Sequence, residues 1–227
     1  MQAWPKTADE LVVAQHAVAV ASPPAWHPGD FATLSVAAAW VCFQRGASGV
    51  GAPGDPAWAA AVITRGRRVT EQAVLVGSAT GAYVPGLLAL RIGPLLSEVI
   101  CRLPGRLDVL LIDATGRDHP RRAGLAVHLG AVLDLPTVGI THRPLLATGA
   151  WPDDSVDACA PLSLDGETVG YWLRTRPGRR PVAVHAGWRT DAETALAVVR
   201  ACRGRKRTPA PLRGARQLAR QTRGGSL

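Results

Sequence analysis

The stretch Leu110-Leu-Ile-Asp-Ala-Thr-Gly-Arg-Asp-His-Pro-Arg-Arg-Ala-Gly-Leu-Ala-Val-His-Leu-Gly130 decides how the chain is read. Residues 107–112 form an apolar run, broken only by Asp108, of the kind found in strands buried on both faces. The run delivers Asp113 at its C-terminal end, where open α/β sheets place their ligands. A turn containing Gly116 follows, and residues 120–133 read as a helix carrying His119, Arg121 and Arg122 near its start.

Working outward, residues 7–21 begin with Thr and Asp and continue as an apolar run. This predicts a helix capped near Thr7. Residues 31–43 predict a first central strand, with the Gly/Pro-rich residues 46–56 as a hairpin connection. Residues 58–64 and 71–77 predict two further strands joined by a turn at 65–68. Residues 85–102 have helical spacing, residues 137–140 a short strand, residues 168–174 and 181–185 two more strands, and residues 191–202 a helix. Three strands followed by alternating helix and strand predict an α/β fold with a mixed sheet flanked by helices.

The chain has 227 residues, 47% of them apolar and 19% charged, and a net charge of +9. This suits one domain with a proper core. The charge is uneven: residues 203–227 hold eight basic residues and no acid. The expected division is therefore a domain at 1–202 and a flexible basic tail at 203–227, either simply solvated or an arm for polyanions. Nearly all the basic residues are Arg, in a chain also rich in Ala, Gly and Pro, so Arg content alone says little about nucleic acid. The four cysteines are scattered without metal-ligand spacing. No run is long enough to span a bilayer, and no basic leader precedes the first apolar run, so the expected address is the cytoplasm.

The 110–130 string closely resembles endonuclease V, a family with a strand ending in Asp, a glycine-bearing turn, His-Pro-Arg-Arg and a Gly-x-Ala-x-His-x-Gly helix. Ala82-Tyr83-Val84-Pro85-Gly86 is similar to the family's strand-separating wedge, and Leu135-Pro-Thr-Val-Gly-Ile140 to its next strand. Ala186-Gly-Trp-Arg-Thr-Asp-Ala-Glu-Thr-Ala-Leu196 looks like a further site-forming segment. The resemblance implies an RNase H-like fold and a nucleic-acid partner, DNA or RNA. It also implies Mg²⁺ held by acids from four segments, because Mg²⁺ seeks hard oxygen ligands. Carried over, the four positions are Ser35, Ile92, Asp113 and Glu193. Two therefore lack a carboxylate, and no Asp or Glu lies between residues 31 and 54 to compensate. The family's active-site lysine falls on His142, its Gly-His-Gly on Ala114-Thr115-Gly116, and its Gly-His-Arg on Gly187-Trp188-Arg189.

The leading expectation is a nucleic-acid-binding relative that lacks ordinary Mg²⁺-dependent cleavage and has no cofactor. Tyr83 and Pro85 would contact bases, and Arg121, Arg122 and Arg189 phosphates. Two alternatives stand beside it. One is an active inosine-directed endonuclease with Mg²⁺ on Asp113 and Glu193. The other is metal-independent chemistry by a Ser35, Asp113 and His142 set.

Overall fold

The structure is a computed structural model that describes residues 4–225. Eight strands form one mixed sheet: β1 (Ser35–Phe43), β2 (Pro56–Arg65), β3 (Arg68–Ser78), β4 (Val109–Ile112), β5 (Thr137–Thr141), β6 (Cys159–Leu164), β7 (Glu167–Leu173) and β8 (Val182–Ala186). Their order is β3-β2-β1-β4-β5-β8-β7-β6. β1, β4 and β5 run parallel at the centre, while the outer strands on both sides are antiparallel. Five helices complete the fold: α1 (Ala8–Val20), α2 (Leu88–Cys101), α3 (Leu125–Leu133), α4 (Ala192–Ala201) and α5 (Ala210–Gly225).

The period of two along each strand divides the core. Ala37, Ala39, Leu110 and Ile112 face α1, α2 and α3, meeting Leu11, Leu96, Val99 and Leu129. Val36, Ala38, Val109 and Leu111 face α4 and α5, meeting Leu196, Val199, Leu212 and Ala215. Burial of β4 on both faces explains its lack of polar alternation. α1 starts as expected, with the Thr7 hydroxyl accepting from the Glu10 amide at 3.2 Å.

Four expectations need correction. The first strand begins at Ser35, not at residue 31. The helix expected from residue 120 begins at Leu125, because Arg122 is left-handed (φ 53°) and Gly124 forms the cap. His119, Arg121 and Arg122 therefore lie on a loop, not on a helical turn. β6 at Cys159–Leu164 was not foreseen; it pairs antiparallel with β7. The last correction is the largest. The flexible basic tail contains α5, whose Leu212, Ala215 and Ala219 are buried against the sheet. Spacings of three and four put these residues on one face, with Arg213 and Arg220 turned to solvent and Arg216 at the border. Among the described residues, no helix is long and apolar enough to cross a membrane.

Candidate functional site

β4 ends at Ile112, so Asp113 sits at the carboxyl edge of the central strands. Ala39 of β1 pairs with Ile112, which brings Trp40 level with Asp113. By strand alternation the Trp40 side chain lies on the α5 face, next to Asp113. They line a cavity of about 60 Å³ together with Val41, Leu96 and Ile92 from α2. On the α5 side, the Arg216 guanidinium lies over the Trp40 ring, 5.1 Å from its centroid. Asp113 is reached by solvent at the rim, yet burial of its carboxyl among these groups pushes its pKa up to about 6, against a smaller opposing pull from Arg216.

Asp113 is thus accompanied by an indole, an aliphatic side chain and a fixed cation. Among the described residues no three His, Cys, Asp or Glu side chains come together as a metal-binding group. A hard divalent ion needs several oxygen ligands, and a guanidinium beside the one carboxylate repels it. The described side chains here offer such an ion one carboxylate, that of Asp113.

A second cavity of about 180 Å³ opens on the other side of Asp113, lined by Gln15, Tyr83, Gly86, His119, Thr141 and Leu145 among others. Tyr83, Val84 and Pro85 stand exposed at its lip. The loop behind them is held at one atom, the Gly86 carbonyl oxygen. It accepts from Gln15 Nε2 at 3.2 Å, His119 Nε2 at 3.1 Å and an Arg121 guanidinium nitrogen at 2.9 Å. Gly86 has φ 77°, and a Cβ there would also press on Arg121, so glycine suits the turn on both counts. His119 Nδ1 accepts from the Arg121 amide, which leaves the proton on Nε2; burial lowers the pKa of this ring.

The other expected site residues fall elsewhere. Ser35 is buried at the opposite edge of the sheet. Its hydroxyl accepts from Arg65 Nε at 2.9 Å and its amide donates to Asp108. Five residue steps along the strand separate Asp108 from Asp113, roughly 16 Å, so the proposed Ser35, Asp113 and His142 set does not assemble. The strand register shows Trp40, not Ser35, to be the β1 residue beside Asp113.

Glu193 is also remote. β8 runs antiparallel to β5, so the chain leaves β8 at the far edge before entering α4. There Glu193 accepts from the Tyr171 hydroxyl at 2.9 Å, and Asp191 caps α4 through the Thr194 amide. His142 lies on the Asp113 side of the sheet, in a groove with Arg207, Arg213 and Arg216, and its pKa is lowered by burial and then by Arg207 and Arg216.

The three arginines expected on phosphates each have partners within the protein. Arg121 also donates to Gln15 Oε1 at 2.6 Å. Arg122 pairs with Asp165 at 2.9 Å and reaches the Leu164 carbonyl. Arg189 donates to the Pro24 carbonyl and faces Asp134 at 3.7 Å.

Three contributors escaped the sequence reading. Gln15 had no signal beyond being a polar residue in an apolar helix. Trp40 and Arg216 are brought to Asp113 only by strand pairing and by the docking of α5. Asp118 is fully enclosed and accepts from the amides of Leu145, Leu146 and Ala147 at 2.6–2.8 Å. It fixes the loop that forms one wall of the larger cavity.

Comparison with known proteins agrees with this fold. The sequence profile of the endonuclease V family matches residues 46–217. Endonuclease V of Roseiflexus sp. (strain RS-1) is 42% identical over 171 residues, 74% of this chain and 77% of its own length. The crystal structure of endonuclease V from Streptomyces avermitilis superposes with a TM-score of 0.84 at 32% identity, covering 98% of this chain and 96% of that one. The catalytic domain of human endonuclease V gives 0.81 at 28% identity, covering 97% and 98%.

Proposed function

The chain belongs to the endonuclease V family, and from that premise we propose that it holds DNA or RNA across the carboxyl edge of its sheet without ordinary Mg²⁺-dependent cleavage. One observation carries this reading: the carboxylate at the end of β4 is flanked by Trp40, Ile92 and Arg216 rather than by further acids. Metal-assisted in-line hydrolysis of a phosphodiester places a Lewis acid on the attacking or leaving oxygen. Asp113 by itself supplies neither a complete ligand shell nor a neighbouring base.

What remains suits recognition. The 180 Å³ cavity has the scale of a single heterocyclic base turned out of the stack. Tyr83 offers an exposed ring at its lip, and the Gly86 clamp holds that lip in place. Stacking on such a ring is sequence-tolerant and contributes about 1–3 kcal/mol per base. Asp113 and the backbone around Gly86 provide polar groups at the rim.

The test is a nicking assay on inosine-containing DNA and RNA with Mg²⁺ and with Mn²⁺, run beside a titration of Mg²⁺ into the free protein by calorimetry. The expected result is no turnover and no saturable heat. Turnover comparable to that of an active relative overturns the reading. The intact cavity beside Asp113 favours one competing reading, cleavage with a metal shared between Asp113 and substrate phosphates. It predicts Mn²⁺-dependent nicking that disappears in Asp113→Ala.

A further inference from the structure

α5 presents an arginine stripe to solvent. Arg213, Arg216 and Arg220 are spaced three and four apart, along the flank of the face formed by Leu212, Ala215 and Ala219, and span about 10 Å of helix. They line a groove of about 690 Å³ shared with Arg45 from the β1–β2 connection. Arg213 and Arg216 also border a second groove of about 530 Å³, where Arg176, Arg179, Lys206 and Arg207 converge. Neither groove has an acidic residue in its lining. Arg45, Arg213, Arg216 and Arg220 make no ion pair with any described residue, whereas Arg121, Arg122 and Arg189 are all engaged. Arg216 Nε is buried without a hydrogen-bond partner, and its guanidinium is set against Trp40 beside Asp113.

Taken together, these features point to a ligand. A dense row of unpaired guanidinium groups repels itself, which costs stability unless an anion settles among them. A helix docked on the core presents them as a fixed row, so little ordering is needed on binding. We propose that α5 is a phosphodiester-backbone site, and that Arg216 serves there as the built-in cation of the cleft, in place of a divalent ion. The strand whose base enters the Tyr83 cavity would continue past Asp113 onto Arg216, with Arg213 and Arg220 taking adjoining phosphates. This inference rests on the reading that the chain holds nucleic acid, and adds where the backbone lies and that no metal is needed to bind it.

Binding of a fluorescein-labelled oligonucleotide with one deoxyinosine is followed by anisotropy between ~50 and ~200 mM salt, with EDTA or with Mg²⁺. The wild type is expected to bind equally in both conditions, with a steep salt slope. The triple variant R213Q/R216Q/R220Q is expected to lose about two units of that slope, since each phosphate contact contributes about 0.7–0.9, and at least about tenfold in affinity at low salt. The variant R213K/R216K/R220K keeps the charges and should keep most of the slope, which separates a charge effect from damage to α5. Wild-type binding with an unchanged slope in the Gln variant overturns this inference and leaves the proposed function standing. Affinity that collapses in EDTA overturns this inference and counts against the metal-free site of the proposed function as well. Failure of the wild type to bind under any of these conditions overturns both.

Discussion

Asp113 illustrates how a single carboxylate changes character when its neighbours change. Beside further acids it would be held ionised by a bound cation. Here burial raises its pKa to about 6, and Arg216 offsets only part of that. If the surroundings are the cause, restoring oxygen ligands should restore metal affinity. Trp40→Asp with Ile92→Glu, in an Arg216→Gln background, places two new carboxyls on the walls of the 60 Å³ cavity and removes the repelling charge. Saturable Mg²⁺ heat is expected where the wild type gives none; a silent calorimeter with a folded variant counts against the assignment of these positions. Asp113 itself was legible in the sequence, because a buried strand ending in an acid is a local pattern. Ser35 was not the right partner, since nothing local marks which β1 residue lies beside Asp113. The pairing of Ala39 with Ile112 decides it, and that pairing is a tertiary fact.

Two elements position the cleft, and each can be tested by a substitution outside it. The Tyr83 lip depends on the contacts among Gln15, Arg121, His119 and the Gly86 carbonyl. Arg121→Ala leaves Gln15 Oε1, in a side chain only 1% exposed, without its donor. A buried acceptor left unpaired costs about 1–3 kcal/mol, so urea denaturation should show a loss of that size. Nucleic-acid affinity should fall while the salt slope keeps most of its value, because Arg121 acts on the loop and not on a phosphate. For α5 the telling change is Leu212→Ala. Leu212 is 1% exposed in the core beneath the sheet, and removing a buried Leu costs about 2–5 kcal/mol. A freely moving tail would show no loss. The helix was hidden by composition: eight basic residues without an acid read as solvated chain, although Leu212, Ala215 and Ala219 already had helical spacing. The charge dominates the composition, while the fold uses the small apolar face between the arginines. The strands read well because apolar runs bounded by turn residues are local signals, whereas β6, with Pro161 and a polar Ser163, lacks such a run.

Across the whole molecule, the buried histidines set a pH limit on the fold. His185 is fully enclosed; its Nε2 contacts the Thr141 hydroxyl at 2.8 Å, and burial drives its pKa down to about 4, with Asp118 opposing. His128 packs against the Trp4 ring, with centroids 5.2 Å apart, and burial alone takes its pKa down to about 4. Both pKa values lie below the 6.5 of a free ring, so the unfolded chain takes up these protons first. The stability the two histidines contribute is therefore complete above about pH 6.5 and is lost as pH falls towards 4, on the order of 2–3 kcal/mol each. Asp113 works in the opposite direction. Its raised pKa means that the folded state gains a proton first on acidification, which favours folding as pH drops through 6. Its exposed rim makes this the smaller effect. The net expectation is a urea midpoint that falls steadily between about pH 7 and pH 4. In His128→Phe, which keeps an apolar ring against Trp4, the fall should be shallower by about the share of one histidine. Equal midpoints across that range in the wild type would mean that these rings are protonated in the folded protein, and that the core beneath the cleft is wetter than its packing indicates.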